Sequence, residues 1–165
     1  MATSLFQQLE SHAARQPAQI AIEEHRESGD TRTITWRDYR NAIAAFAGTL
    51  RSTIEPGGTI LLVAPNRIES MIAFFAALMA DVALYPLSPM LSERERGEAA
   101  RRSGAVACIG MPETTACLEG VVAHRISLGA VPREGDDASA AASIRKHQGT
   151  GRILLQSSGT TGLPQ

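Results

Sequence analysis

Pro56-Gly57-Gly58 turns the chain into Thr59-Ile60-Leu61-Leu62-Val63, and this continuous apolar run decides the fold class. A strand apolar on both faces suits a parallel sheet covered by helices on each side; a half-exposed strand would alternate apolar with polar residues. Residues 67–80 then read as a helix that passes from amphipathic to buried, and Val82-Ala83-Leu84-Tyr85 as the next strand. A helix joining two such strands forms a crossover, and crossovers in parallel sheets are right-handed.

The alternation extends in both directions. Downstream, Ser92-Glu93-Arg94-Glu95 caps a helix to about Arg102, and Val106-Ala107-Cys108-Ile109 is a short strand broken by Gly110 and Pro112. A weak helix over 113–118 and a strand over 121–126 follow. Upstream, Ser4-Leu5-Phe6-Gln7 fits a capping box, with Phe6, Leu9 and Ala13 at helical spacing before Pro17. Ile20 and Ile22 alternate with polar neighbours, 26–30 reads as a hairpin turn, and Thr33-Ile34-Thr35 returns as a strand. Thr35-Trp36-Arg37-Asp38 caps a second helix whose Trp36, Tyr39, Ile43, Phe46 and Leu50 form a core stripe. The fold class is therefore α/β, with a mostly parallel, doubly wound sheet.

Residues 1–128 form the α/β unit in this reading. From 129 to 151 the composition shifts to Gly, Ala, Ser and charge without a convincing period, which predicts a surface linker. Residues 152–165 return to the same domain as a strand and a loop. Ile60, Leu62, Leu84 and Leu154 are expected in the core.

At 165 residues, 44% hydrophobic and with a net charge of −1, the chain is globular and lacks the positive field of a nucleic-acid binder. The N-terminus has no signal-peptide pattern, and the most membrane-like stretch, 71–80, is about half a bilayer span. The expectation is a cytoplasmic protein with no membrane span and no nucleic-acid partner. Cys108 and Cys117 form no CxxC pair and read as reduced, buried thiols, while His12, His25, His124 and His147 are too scattered for a structural zinc site.

The chemistry concentrates in Ser157-Ser158-Gly159-Thr160-Thr161-Gly162-Leu163-Pro164-Gln165, directly after the apolar run Ile153-Leu154-Leu155. Such a loop can offer backbone N–H groups and four hydroxyls to a polyphosphate, because glycine permits close backbone approach and anion nests. A Ser/Thr/Gly turn without a ligand is the commoner meaning of such clusters, but the ordered spelling and the preceding strand favour the phosphate site. A Walker-type loop is excluded: it needs four residues between its glycines and a following Lys, and only two separate Gly159 from Gly162.

This loop resembles the phosphate-binding loop of the adenylate-forming enzymes: acyl- and aryl-CoA synthetases, luciferases and peptide-synthetase adenylation domains. Eight consecutive positions fit that family's pattern, and Gln165 stands where its Lys would be. Ile34-Thr35-Trp36-Arg37-Asp38-Tyr39 and Asp81-Val82-Ala83-Leu84-Tyr85-Pro86-Leu87-Ser88-Pro89 resemble two further motifs, with Asp81 in place of a Gly and Ser88 in place of Asn or Asp.

The resemblance implies the N-terminal subdomain of an AMP-forming ligase. In that family a carboxylic-acid substrate attacks the α-phosphate of ATP, with Mg²⁺, and a thiol of coenzyme A or a carrier-protein pantetheine takes the acyl group. By matching, Ser157, Ser158, Thr160 and Thr161 supply hydroxyls, Gly159 and Gly162 accessible backbone, and Gln165 an amide in place of a charge. No catalytic side chain and no metal ligand is assigned. The chain is much shorter than family members, so the reading is a truncated, inactive opening part that self-associates through surface left exposed. A stand-alone nucleotide- or anion-binding module and a vestigial interaction domain are the alternatives.

Overall fold

The computed structural model describes residues 4–146 and 151–155. Helix α1 (Leu5–Arg15) starts on the expected capping box: the Ser4 hydroxyl accepts from Gln7 N–H at 3.2 Å, and Gln7 Oε1 accepts from Ser4 N–H at 2.9 Å. Strands β1 (Ile20–His25) and β2 (Thr31–Thr35) form an antiparallel hairpin. Its turn closes through Gly29 N–H to the Arg26 carbonyl at 2.9 Å, at a φ of +86° that glycine tolerates. Helix α2 (Trp36–Thr53) is capped by Thr35, whose hydroxyl accepts from Asp38 N–H at 3.2 Å.

The rest is a doubly wound unit: β3 (Thr59–Val63), α3 (Ile68–Met79), β4 (Ala83–Leu87), α4 (Glu93–Ser103), β5 (Ala105–Gly110), α5 (Pro112–Thr115), β6 (His124–Ser127), α6 (Asp137–Lys146) and β7 (Arg152–Ile153). The five-stranded sheet has the order β6-β5-β3-β4-β7, and every pairing in it is parallel. The chain steps from β3 to β4, crosses back over β3 to β5 and β6, then returns to β7. Right-handed crossovers along that path put α3 and α6 on one face and α4 and α5 on the other.

The core divides accordingly. Ile60, Leu62, Leu84 and Ile109 pack with α2, α3 and α6, while Leu61, Val63, Leu87 and Cys108 pack against the α4 side with Ala100 and Leu118. Alternate side chains of one strand thus feed two cores. The α/β, parallel, doubly wound class read from the sequence is the fold observed.

Four local expectations are corrected. Strand β4 continues through Pro86, opposite Leu62. Leu84 turns its carbonyl to β7, accepting from Leu154 N–H at 2.8 Å, and Pro86 faces the same way beyond the pairing of β7. Having no N–H to give to that side, Pro86 lies where the β4–β7 pairing stops, after Leu84 and Ile153. Strand β6 starts later than expected, because Val121 and Val122 N–H both turn back to the Leu118 carbonyl.

The 129–151 stretch, read as a linker, carries helix α6 with Ala140 and Ile144 buried. Its anchors come from α2: Arg40 pairs with Asp137, Asn41 Nδ2 donates to the Gly135 carbonyl at 3.0 Å, and Arg51 donates to Ser143 Oγ at 3.0 Å. Finally, Leu154 is only half-buried, and Ile153 and Leu155 are 43% and 79% exposed. The cause is position: β7 is a short edge strand with one neighbour, not a strand buried on both sides.

Gly151 sets how closely β7 approaches, since a Cβ there would lie 2.5 Å from Leu78 Cα and 2.9 Å from the Val82 carbonyl oxygen. Gly151→Ala is expected to raise hydrogen exchange at Arg152 and Leu154 about tenfold or more, leaving β3 and β5 amides protected. Unchanged exchange at those two amides would show that the edge strand does not depend on this contact.

Candidate functional site

In a doubly wound sheet the crevice lies where successive connections leave for opposite sides, outside the carboxyl ends of the strands. Here that point falls between β3 and β5. Gly110 closes it: a Cβ on Gly110 would stand 2.4 Å from the Val63 carbonyl oxygen, and Thr114 Oγ1 donates to that same oxygen at 3.1 Å. Only glycine permits this approach. Asn66 and Arg67 are exposed on the other lip, and Arg67 touches the Met111 sulfur.

The segment after β4 turns on local hydrogen bonds. Ser88, in place of Asn or Asp, uses its hydroxyl to accept from Met90 N–H at 3.2 Å, while Leu91 N–H returns to the Ser88 carbonyl. Arg96, buried on α4, braces the turn from below by donating to the Pro89 and Leu91 carbonyls at 3.1 and 2.7 Å. The sequence reading missed Arg96, which looks like one more surface arginine in an Arg/Glu-rich helix.

A second missed residue, Glu24 of β1, is buried at the start of α3. Its Oε2 accepts from Ile68 N–H at 3.0 Å and its Oε1 from Arg26 Nε at 3.0 Å, with Arg32 nearby at 3.8 Å. Arg67, the residue before α3, makes no side-chain cap, so a carboxylate from the hairpin caps the helix instead. Arg32 continues to Glu69, which also meets Arg133 at 3.7 Å. This chain of charges ties the hairpin, α3 and the segment after β6 together.

Burial raises the carboxyl pKa of Glu24, but the Ile68 N–H, Arg26 and Arg32 outweigh it and leave the group below its ordinary value of 4.5. Cys108 is buried and its thiol is pushed up to about 11, which disfavours the thiolate needed for nucleophilic or redox chemistry. Among the described residues no three His, Cys, Asp or Glu converge as a metal site, and no helix is long and apolar enough to cross a membrane.

The residues assigned to the phosphate loop, Ser157, Ser158, Gly159, Thr160, Thr161, Gly162 and Gln165, lie outside the described residues. What the structure gives is the strand before them. β7 pairs parallel to β4, Ala83 opposite Arg152 and Leu84 opposite Ile153, so it runs toward the carboxyl end of the sheet.

The AMP-binding enzyme family matches this chain over residues 9–165. A 4-coumarate–CoA ligase-like protein of Oryza sativa subsp. japonica is 29% identical over 137 residues, covering 78% of this chain and 25% of that protein. The fold superimposes on a fatty acyl-adenylate ligase from L. pneumophila, solved with acyl adenylate and pyrophosphate, with a TM-score of 0.74 at 19% identity, over 99% of this chain and 30% of that one. VinN gives 0.71 at 20% identity, over 98% and 42%. The N-terminal subdomain of Klebsiella oxytoca NpsA, in complex with 3-hydroxybenzoyl-AMSN, gives 0.70 at 20% identity, over 98% and 39%. The chain thus spans about a quarter of the curated relative and well under half of these solved chains.

Because the pKa of Glu24 is lowered on folding, its stabilisation is present above the unfolded value near 4.5 and is lost as pH falls through the lower folded value. Glu24→Gln is expected to cost about 1–3 kcal/mol near pH 7, with the difference from the parent shrinking toward zero in acid. Urea unfolding at several pH values measures this. A penalty that is independent of pH would assign Glu24 a packing role only.

Proposed function

Because the chain belongs to the AMP-binding enzyme family, we propose that it forms the opening portion of a ligase that activates a carboxylic acid with ATP. The activated acyl group would pass to a thiol, of coenzyme A or of a carrier-protein pantetheine. Coenzyme A is favoured by the relationship to a 4-coumarate–CoA ligase-like protein. The observation that carries the reading is the direction of β7: it runs to the carboxyl end of a doubly wound sheet, and the hydroxyl- and glycine-rich segment follows it directly in sequence.

In this proposal the loop's donor set matches a polyphosphate. Ser157, Ser158, Thr160 and Thr161 replace water around the β- and γ-phosphates, and Gly159 and Gly162 leave backbone N–H groups uncovered. These groups do positioning and charge stabilisation, not covalent work. Mg²⁺ would arrive with the nucleotide and neutralise phosphate charge, since the loop carries hydroxyls and no carboxylate. Gln165 keeps hydrogen-bond donors but brings no charge; a cation there would contribute up to about 4 kcal/mol at close range and an effective dielectric near 20.

A phosphate loop without groups that fix the acid and the adenine forfeits most of the roughly 7–11 kcal/mol available from alignment. A polypeptide of residues 1–165 is therefore expected to show no carboxylate-dependent exchange of pyrophosphate into ATP. A longer polypeptide, extended to the full length of its relatives, should show exchange, and Thr160→Ala with Thr161→Ala should lower it by about 10²-fold or more. Exchange unaffected by that double substitution would remove the phosphate-binding role from the loop. Robust exchange by residues 1–165 alone would show that the acid and adenine sites are already present.

A further inference from the structure

The stretch that carries α6 and β7 is seated at each end on a glycine. A Cβ on Gly135 would lie 2.6 Å from the Asn41 carbonyl oxygen of α2, and one on Gly151 would lie 2.5 Å from Leu78 Cα of α3. Both clashes are with backbone, so neither neighbour can give way as a flexible side chain would. Between the two seats little is buried. Among the described side chains of 135–146 and 151–155, the buried ones are Ala140 and Ile144. β7 adds backbone contacts: Gly151, Arg152 and Leu154 N–H donate to the Leu78, Val82 and Leu84 carbonyls at 3.2, 3.2 and 2.8 Å. A segment with so little buried apolar surface stands at the low end of local stability.

The polar anchors of α6 can also be released without stranding a buried charge. Arg40 pairs with Asp137 through Nη2, but its Nη1 holds Glu10 of α1 at 3.2 Å and its Nε donates to Asn41 Oδ1 at 2.9 Å. Arg51 donates from Nη2 to Ser143 Oγ at 3.0 Å, while its Nη1 keeps the Met79 carbonyl at 3.2 Å. With α6 undocked, both arginines retain partners. Asp137, whose side chain is already 62% exposed, passes to water. Breaking a buried pair is most costly when it leaves an ion alone, and here it leaves none.

Helix α6 and β7 are tied to the same place, the end of α3. The adjacent carbonyls of Leu78 and Met79 accept from Gly151 N–H and from Arg51, the residue that holds α6. We propose that α6 and β7 form one strap, which undocks and redocks as a unit while β3, β4 and β5 stay folded. Its docking sets whether the hydroxyl- and glycine-rich segment that follows β7 in sequence is held to the carboxyl end of the sheet. The unit itself stands on the contacts above; its use in admitting a polyphosphate rests on the ligase reading.

Amide hydrogen exchange of the 165-residue chain tests the proposal. Gly135→Ala, at one end of the strap, is expected to raise exchange about tenfold or more at Ile144 and equally at Arg152 and Leu154, at the other end. Amides of β3 and β5 should stay protected, which shows the variant folded. Asp137→Asn should act in the same direction on the same amides. With Mg²⁺ and inorganic pyrophosphate, exchange at Ile144 and Leu154 should slow in parallel, about tenfold near ten times the Kd, and Thr160→Ala with Thr161→Ala should abolish the slowing. Exchange at Arg152 and Leu154 that ignores Gly135→Ala, or pyrophosphate that slows β7 without α6, would overturn the strap. Coupled exchange that ignores pyrophosphate would keep the strap and remove the phosphate-binding role from the loop.

Discussion

Everything in the molecule is arranged about β3, a strand paired on both edges and covered on both faces. Ile60 and Leu62 point into one core and Leu61 and Val63 into the other, while β4 and β5 lie alongside. With no polar side chain over these four positions, the strand is stable only inside a sheet dressed with helices on each side. That requirement sets the rest. Parallel neighbours demand crossovers, crossovers have one hand, and the path β3-β4-β5-β6-β7 then fixes which helices fall on which face. It also fixes where connections diverge, at Val63 and Gly110, and so where the crevice opens.

Hydrophobic burial alone does not hold the hairpin, α3 and α6 in register. Buried charged side chains do that, two of the three reaching to distant parts of the chain. Arg40 on α2 collects Glu10 from α1 and Asp137 from α6; Glu24 on the hairpin caps α3; Arg96 on α4 braces the turn after β4. A buried ion is costly unless its hydrogen bonds are met, so such groups tolerate few geometries. They specify arrangement more than they add stability. The Glu24 and Arg96 contacts lie at the carboxyl side of the sheet, where the crevice needs defined walls.

What was legible in the sequence follows from the range of the interactions involved. The caps at Ser4, Thr35 and Ser92 are formed by residues three positions apart, and all three appear as read. The alternation of apolar strands with helices reports a property of each segment by itself, and it gave the parallel sheet. Helix α6 was invisible because its main anchor, Arg40 to Asp137, spans 97 positions, and its buried face is little more than Ala140 and Ile144. Leu154 misled for a related reason: an apolar run looks the same whether its strand is central or at an edge. The candidate site was legible only as a spelling, Ser157 to Gln165, and the structure supplies the strand before it, not the loop.

Composition and position together explain α3. Its inner side must fill the core between α2 and the sheet, where Ile72, Ala73, Ala76 and Met79 are fully buried. That need accounts for half of its surface. On the other half Phe74, Phe75 and Leu78 are half-buried and pack against the same core, Phe75 edge-on to buried Tyr39, and only Met71 is exposed. Helix α3 is therefore held to the core over most of its surface, and β3 is the strand on which that core is laid.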